Sequence, residues 1–224
     1  MAFLKSVLFG APGQYKFNGI DIKFTEEKNV RGVFGNTFFG RSVDACLTSR
    51  IFPVLTLGYL HVLFHELSHV SATQLCAKLF GDENARSDKN NYRIEIDTLT
   101  CRGMHEMESV YKALGIYPVW DVNLLKARQL KFVHLAGPLA GMGLEAVKLI
   151  SAVAAANLLP QHIGLPIGIL VGTGAACWLF GEIMYAAIGE GDWALIRNVD
   201  ILSREHVRLT KLYNSAKAQA MSVE

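Results

Sequence analysis

The sequence predicts a mainly α-helical, multi-pass membrane protein, with three core transmembrane helices, a small strand-containing polar insertion and a mixed N-terminal region. Three long apolar segments carry this expectation, at roughly residues 51–80, 132–159 and 165–188. Each is long enough for the ~20 apolar residues that cross a bilayer. The first and third are almost free of charge. From Ile51 to Ala77 the only formal charge is Glu66, and from Leu165 to Ile188 it is Glu182. The overall composition, 51% hydrophobic, is raised only modestly because apolar segments alternate with polar ones.

Residues 1–50 are mixed and glycine-rich, and they carry seven of the lysines and arginines. Met1–Gly10 is too short for a standard signal peptide. Gly19–Phe24 alternates like a strand. Val33–Gly40 fits a hairpin, a re-entrant piece or an interfacial segment. The first apolar segment reads as a helix beginning near Pro53. Residues 81–131 form the polar insertion: a loop over Asp82–Asn91, a strand over Tyr92–Thr100, and a short amphipathic helix over His105–Leu114.

The second segment opens at His134-Leu135-Ala136-Gly137-Pro138-Leu139-Ala140-Gly141 and carries Glu145 and Lys148. Those two are spaced to pair on one helix face. After a tight turn at Pro160–Gly164, the third segment contains Gly168, Gly172, Gly174 and Gly181. Small residues at such spacing let helices approach closely in lipid. From Gly191 the chain reads as a basic amphipathic helix to about Ala218. The organisation is thus an N-terminal region (1–50), a core (51–200) and a basic C-terminal helix or tail (201–224). Charge bias in the polar segments points both ways and leaves the orientation open.

A formal net charge of +2 gives no nucleic-acid footprint. The four cysteines, Cys46, Cys76, Cys101 and Cys177, have no paired spacing. Neither a disulfide framework nor a cysteine zinc site is expected.

The chemistry concentrates in His65-Glu66-Leu67-Ser68-His69, an HExxH sequence inside the first apolar segment. On a helix, two histidines four apart share a face and can bind one Zn²⁺, with the glutamate directed at its water. Placing these groups in apolar surroundings is costly unless a metal or a partner compensates. His61, one turn earlier, fits a packed or hydrogen-bonded histidine better than a ligand. A catalytic zinc site takes three protein ligands. The candidates for the third are Asp192, Glu182, Glu145 and His134. Each has an ordinary alternative, such as a helix cap for Asp192 or a Lys148 partner for Glu145. Gly137-Pro138 fits either a packed helix entry or a backbone that comes close to the metal.

Together these residues resemble the site-2 protease family of intramembrane zinc metalloproteases. Three features carry the resemblance: HExxH in a membrane helix, Ala136-Gly137-Pro138-Leu139-Ala140 in the next, and an aspartate after a third apolar segment. Where the family has an asparagine shortly after Ala-Gly-Pro, this chain has Ala140 or Gly141. Where it has Asp-Gly, this chain has Asp192-Trp193. The resemblance implies that His65, His69 and Asp192 hold Zn²⁺ and that Glu66 is the general base. The substrates implied are membrane proteins cut in or near their spanning segments, with the lipid bilayer as the chain's surroundings. A catalytically inactive membrane scaffold with the same fold is the alternative. A soluble α-helical protein whose apolar helices form its core is a third reading.

Overall fold

Helices dominate the structure, a computed structural model that describes residues 1–26, 51–80, 92–99, 101–116, 124–189, 191–199, 201, 204 and 208. In chain order they form α1 (Ala2–Phe9), β1 (Gly13–Phe17), β2 (Ile20–Thr25), α2 (Ile51–Leu55) and α3 (Gly58–Phe80). These are followed by β3 (Tyr92–Asp97), β4 (Arg102–His105), α4 (Met107–Ala113), α5 (Leu124–Leu158) and α6 (Gln161–Ile188). Residues 192–199 are helical again. The expectations for Val33–Gly40, Asp82–Asn91 and most of the basic C-terminal segment lie outside the described residues.

The strands make one sheet in the order β1-β2-β3-β4. β1 and β2 pair antiparallel, β2 and β3 parallel, and β3 and β4 antiparallel. The parallel pair aligns Ile22 with Ile94 and Phe24 with Ile96. Alternation along β2 and β3 places these apolar side chains on one buried face. That face packs on Tyr59, Val62, Leu63 and Val70 of α3. The Gly19–Phe24 strand expectation is therefore met, and that for Tyr92–Thr100 is met as far as Asp97, where the strand ends; the two segments pair with each other. The helix expected from His105 starts at Met107, because His105 closes β4.

The first apolar segment is broken rather than continuous. Leu57 sits at φ 54°, separating α2 from α3. The groups freed at this break are satisfied from other helices. Lys148 of α5 donates to the Thr56 carbonyl at 3.2 Å, and Trp178 of α6 donates to Thr56 Oγ1 at 2.9 Å. A cation there suits the negative end of α2.

Among the described residues, two stretches, Leu125–Leu158 and Gln161–Val199, are long and apolar enough to cross a membrane. The expectation of three such helices is corrected to two. The 23-residue α3 is long enough but not apolar enough, since it carries His61, His65, Glu66, His69, Thr73 and Gln74. α5 also begins earlier than the apolar pattern suggests, at Leu124, so Pro138 lies inside it. α6 starts at Gln161, so most of the expected turn is helical. Only 22% of each apolar window is buried, and Ile150, Val153, Leu158 and Ile169 point outward.

Between these helices runs a buried chain of charges. Lys148 Nζ lies 2.7 Å from Glu145 Oε1, and His61 Nδ1 lies 2.8 Å from the same oxygen. Glu145 is fully buried and Lys148 is 6% exposed. Removing one member of such a pair strands the other charge, at a typical cost of about 3–5 kcal/mol. We expect Lys148→Met to lower thermal stability in detergent by about that amount. The double variant Lys148→Met, Glu145→Gln should recover most of the loss, as read from melting curves of the three proteins.

Candidate metal centre

The helical spacing of His65 and His69 puts both imidazoles on one side of α3, with ring centroids 4.9 Å apart. Both Nε2 atoms face the same carboxylate oxygen. Asp192 Oδ2 lies 2.9 Å from His65 Nε2 and 3.2 Å from His69 Nε2. The opposite nitrogens are held from behind. His69 Nδ1 donates to the Val133 carbonyl of α5 at 2.7 Å. His65 Nδ1 is 3.5 Å from Glu182 Oε1 of α6. Metal-binding histidines characteristically have the second ring nitrogen engaged by a carbonyl or carboxylate, which fixes the tautomer and the ring orientation.

Asp192 reaches this position because α6 stops just before it. Gly189 ends the helix at φ 72° and Gly191 follows at φ 58°. The Gly191 carbonyl then accepts from the Ala194 and Leu195 N–H groups, so Gly191 occupies the cap and Asp192 the first helical position. The aspartate side chain is thereby released from capping and turns toward α3.

The four candidates for a third ligand, indistinguishable by residue chemistry, separate in space. Asp192 meets both Nε2 atoms. Glu182 lies on the Nδ1 side of His65 and also 3.5 Å from His61 Nε2. Glu145 belongs to the His61–Lys148 chain. His134 flanks Asp192, its Nδ1 3.5 Å from Oδ1. His61 is hydrogen-bonded and stacked on Trp178 at 4.6 Å.

Gly137 is where α5 crosses the pair. A Cβ built there would lie 2.1 Å from His69 Nε2 and 2.7 Å from His65 Nε2. Only a residue without a side chain leaves that space open. Of the two readings of Gly137-Pro138, the close backbone approach is the one observed.

Among the described residues, three side-chain groups have ligand atoms near enough to hold a metal ion: His65, His69 and Asp192; His61, His65 and Glu182; and Glu66, His69 and His105. Ligand bonds of about 2.0–2.2 Å put the donors of a tetrahedral zinc site roughly 3.3–3.5 Å apart. The first group's 2.9 and 3.2 Å separations approach that spacing, and its two nitrogens and one oxygen are suitable zinc donors. Beside it is a cavity of about 300 Å³ lined by His65, Glu66, Gly103, Pro138, Asp192 and Trp193 among others. Cys101 also lines it, but burial pushes its thiol well up, which disfavours the thiolate a metal needs.

Sequence reasoning missed His105. Its Nδ1 lies 2.7 Å from Glu66 Oε2, and its ring stacks on His69 at 4.5 Å. The expected helix over His105–Leu114 concealed it. The one local signal was period-two spacing with Gly103, which puts both residues on one face of a strand.

Compared with known proteins, the chain matches no family model, no curated protein and no solved structure. Gly137→Ala should lower metal-ion affinity by ~10–100-fold, the range seen when the support of a metal ligand is disturbed. Gly143→Ala, on the same helix with open space at its Cβ, should leave it unchanged. Competition with a chromophoric chelator would read both.

Proposed function

We propose that this chain is an intramembrane zinc metalloprotease of the site-2 protease kind, hydrolysing peptide bonds in or beside membrane-spanning segments. The observation that carries the proposal is the meeting of His65 and His69 at one carboxylate oxygen of Asp192, which lies 127 and 123 positions away in sequence. Support also comes from their surroundings. Both histidines have their Nδ1 atoms turned to acceptors on other helices. The apolar faces of α5 and α6 point outward, as they would toward lipid.

His65, His69 and Asp192 would hold the ion, leaving one position for water. A bound Zn²⁺ supplies Lewis acidity that brings the pKa of such a water toward ~7. Glu66 stands beside this group, with a carboxylate oxygen within 4.8 Å of a His69 ring nitrogen. It accepts the proton as water adds to the peptide carbonyl, then delivers it to the leaving nitrogen as the C–N bond breaks. α5 closes one side of the reaction space at Gly137.

In this reading the sheet offers the substrate an edge. Among the described residues β4 has a neighbour on one side only, and it packs against α3. An extended substrate segment added to that edge would lie next to Glu66, with its backbone hydrogen bonds satisfied. A spanning helix must unwind to be cut, and a strand edge stabilises the unwound form.

The deciding experiment is zinc stoichiometry on detergent-purified protein. Wild type should hold about one zinc per chain, as expected for a single three-ligand site. His65→Ala should lose it, and Asp192→Ala should bind it more weakly. Glu66→Gln should keep the zinc and lose hydrolysis of a labelled single-span peptide. Folded wild-type protein without zinc would sink the protease reading and favour the inactive scaffold. The chain should also stay with the membrane after alkaline extraction. Release into the aqueous phase would favour the soluble reading.

A further inference from the structure

β4 contributes two residues to the face it turns toward α3. A Cβ at Gly103 would lie 2.4 Å from Glu66 Cγ and 2.6 Å from Oε1, so this position must lack a side chain for Glu66 to fit. Two residues on, His105 Nδ1 lies 2.7 Å from Glu66 Oε2. Both side chains of that pair are 9% exposed. His105 Nε2 is buried with no hydrogen-bond partner among the described residues. The imidazole is thus fastened by one nitrogen, to one oxygen of one residue, while its face lies on His69 at 4.5 Å and 27°.

From this geometry we propose that His105 is a positioning residue for Glu66: its Nδ1–H fixes one carboxylate oxygen and thereby aims the other at the reaction space. The inference rests on the protease reading above and deepens it. A glutamate on a helix has three rotatable side-chain bonds. Without a second anchor its carboxylate would sample several directions, and a general base is effective only within hydrogen-bond reach of its proton. Gly103 supplies the room and His105 the anchor, so the position of the hairpin governs the base. His105 is one member of a possible ligand group with Glu66 and His69. At 2.7 Å, His105 Nδ1 and Glu66 Oε2 stand well inside the roughly 3.3–3.5 Å between two donors of one zinc. That is the length of a hydrogen bond that orients rather than of a shared ligand set.

The test uses Co²⁺ as the metal and acetohydroxamate as the probe, on full-length protein in detergent. A hydroxamate chelates the metal and offers its hydroxyl proton to the neighbouring glutamate, so its affinity reports where Glu66 points. Three variants separate the roles. His105→Ala removes the ring, His105→Asn keeps a donor near the Nδ1 position, and His105→Gln places its amide nearer Nε2. All three should retain the wild-type cobalt content and visible absorption. Hydroxamate affinity should fall about tenfold or more in His105→Ala and His105→Gln, as when a hydrogen bond to a charged group is lost, and stay near wild type in His105→Asn.

Equal affinity in all four proteins would overturn the inference. So would failure of the asparagine variant to rescue, which would make His105 a packing element. Loss of cobalt from the His105 variants alone would make it a ligand. Cobalt missing from folded wild type would instead overturn the metal reading, and this inference with it. If His105→Ala does not fold, the contrast between asparagine and glutamine carries the same information.

Discussion

Asp192 Oδ2 sits between two imidazole nitrogens from a helix more than a hundred residues earlier, and the packing of α3, α5 and α6 is organised around that meeting. A carboxylate and two imidazoles removed from water are stable only when their charges and hydrogen bonds are answered. Each helix contributes to the answer. α3 supplies the imidazoles, α5 supplies the Val133 carbonyl and the gap at Gly137, and α6 supplies Glu182. Removing any one leaves polar atoms in apolar surroundings. The centre is therefore a structural constraint on all three helices.

The same principle extends along Lys148, Glu145, His61, Glu182 and His65. Consecutive members lie 2.7, 2.8, 3.5 and 3.5 Å apart. Carboxylates alternate with cationic or protonatable groups, so attractive neighbours offset part of the desolvation cost. The chain starts where Lys148 meets the broken end of α2 and finishes at a nitrogen of the HExxH motif. Consecutive polar contacts thus run from the break beside Leu57 to His65. His61 takes its place here as a bridge between two carboxylates.

Much of this was legible in the sequence because it depends on local spacing. HExxH specifies two imidazoles on one helix face whatever surrounds it. The alternation of Ile20, Ile22 and Phe24, and of Tyr92, Ile94 and Ile96, specifies strands with one buried face. The pairing of Glu145 with Lys148 follows from their three-residue separation. What stayed hidden depends on distant parts of the chain. Nothing local distinguishes Asp192 from Glu182 or His134 as a partner of His65. Their difference arises where α6 ends and how it crosses α3. His105 was masked because strand and helix patterns overlap over so short a segment. The length of the first apolar segment suggested a span, whereas its polar residues and the break at Leu57 set it apart from α5 and α6.

The parallel pairing of β2 with β3 has a topological consequence. Residues 20–25 and 92–97 are hydrogen-bonded neighbours, so they occupy one depth relative to any bilayer. With the sheet on one side of that bilayer, the chain between them must cross it an even number of times. α3 then cannot be a solitary crossing: either another segment returns the chain, or α3 enters without emerging. α5 and α6 form a hairpin that, if both helices cross, would return the chain to the side it left. By this parity the sheet and the C-terminal end of α6 would face one compartment, and the short turn at Leu159-Pro160 would face the other.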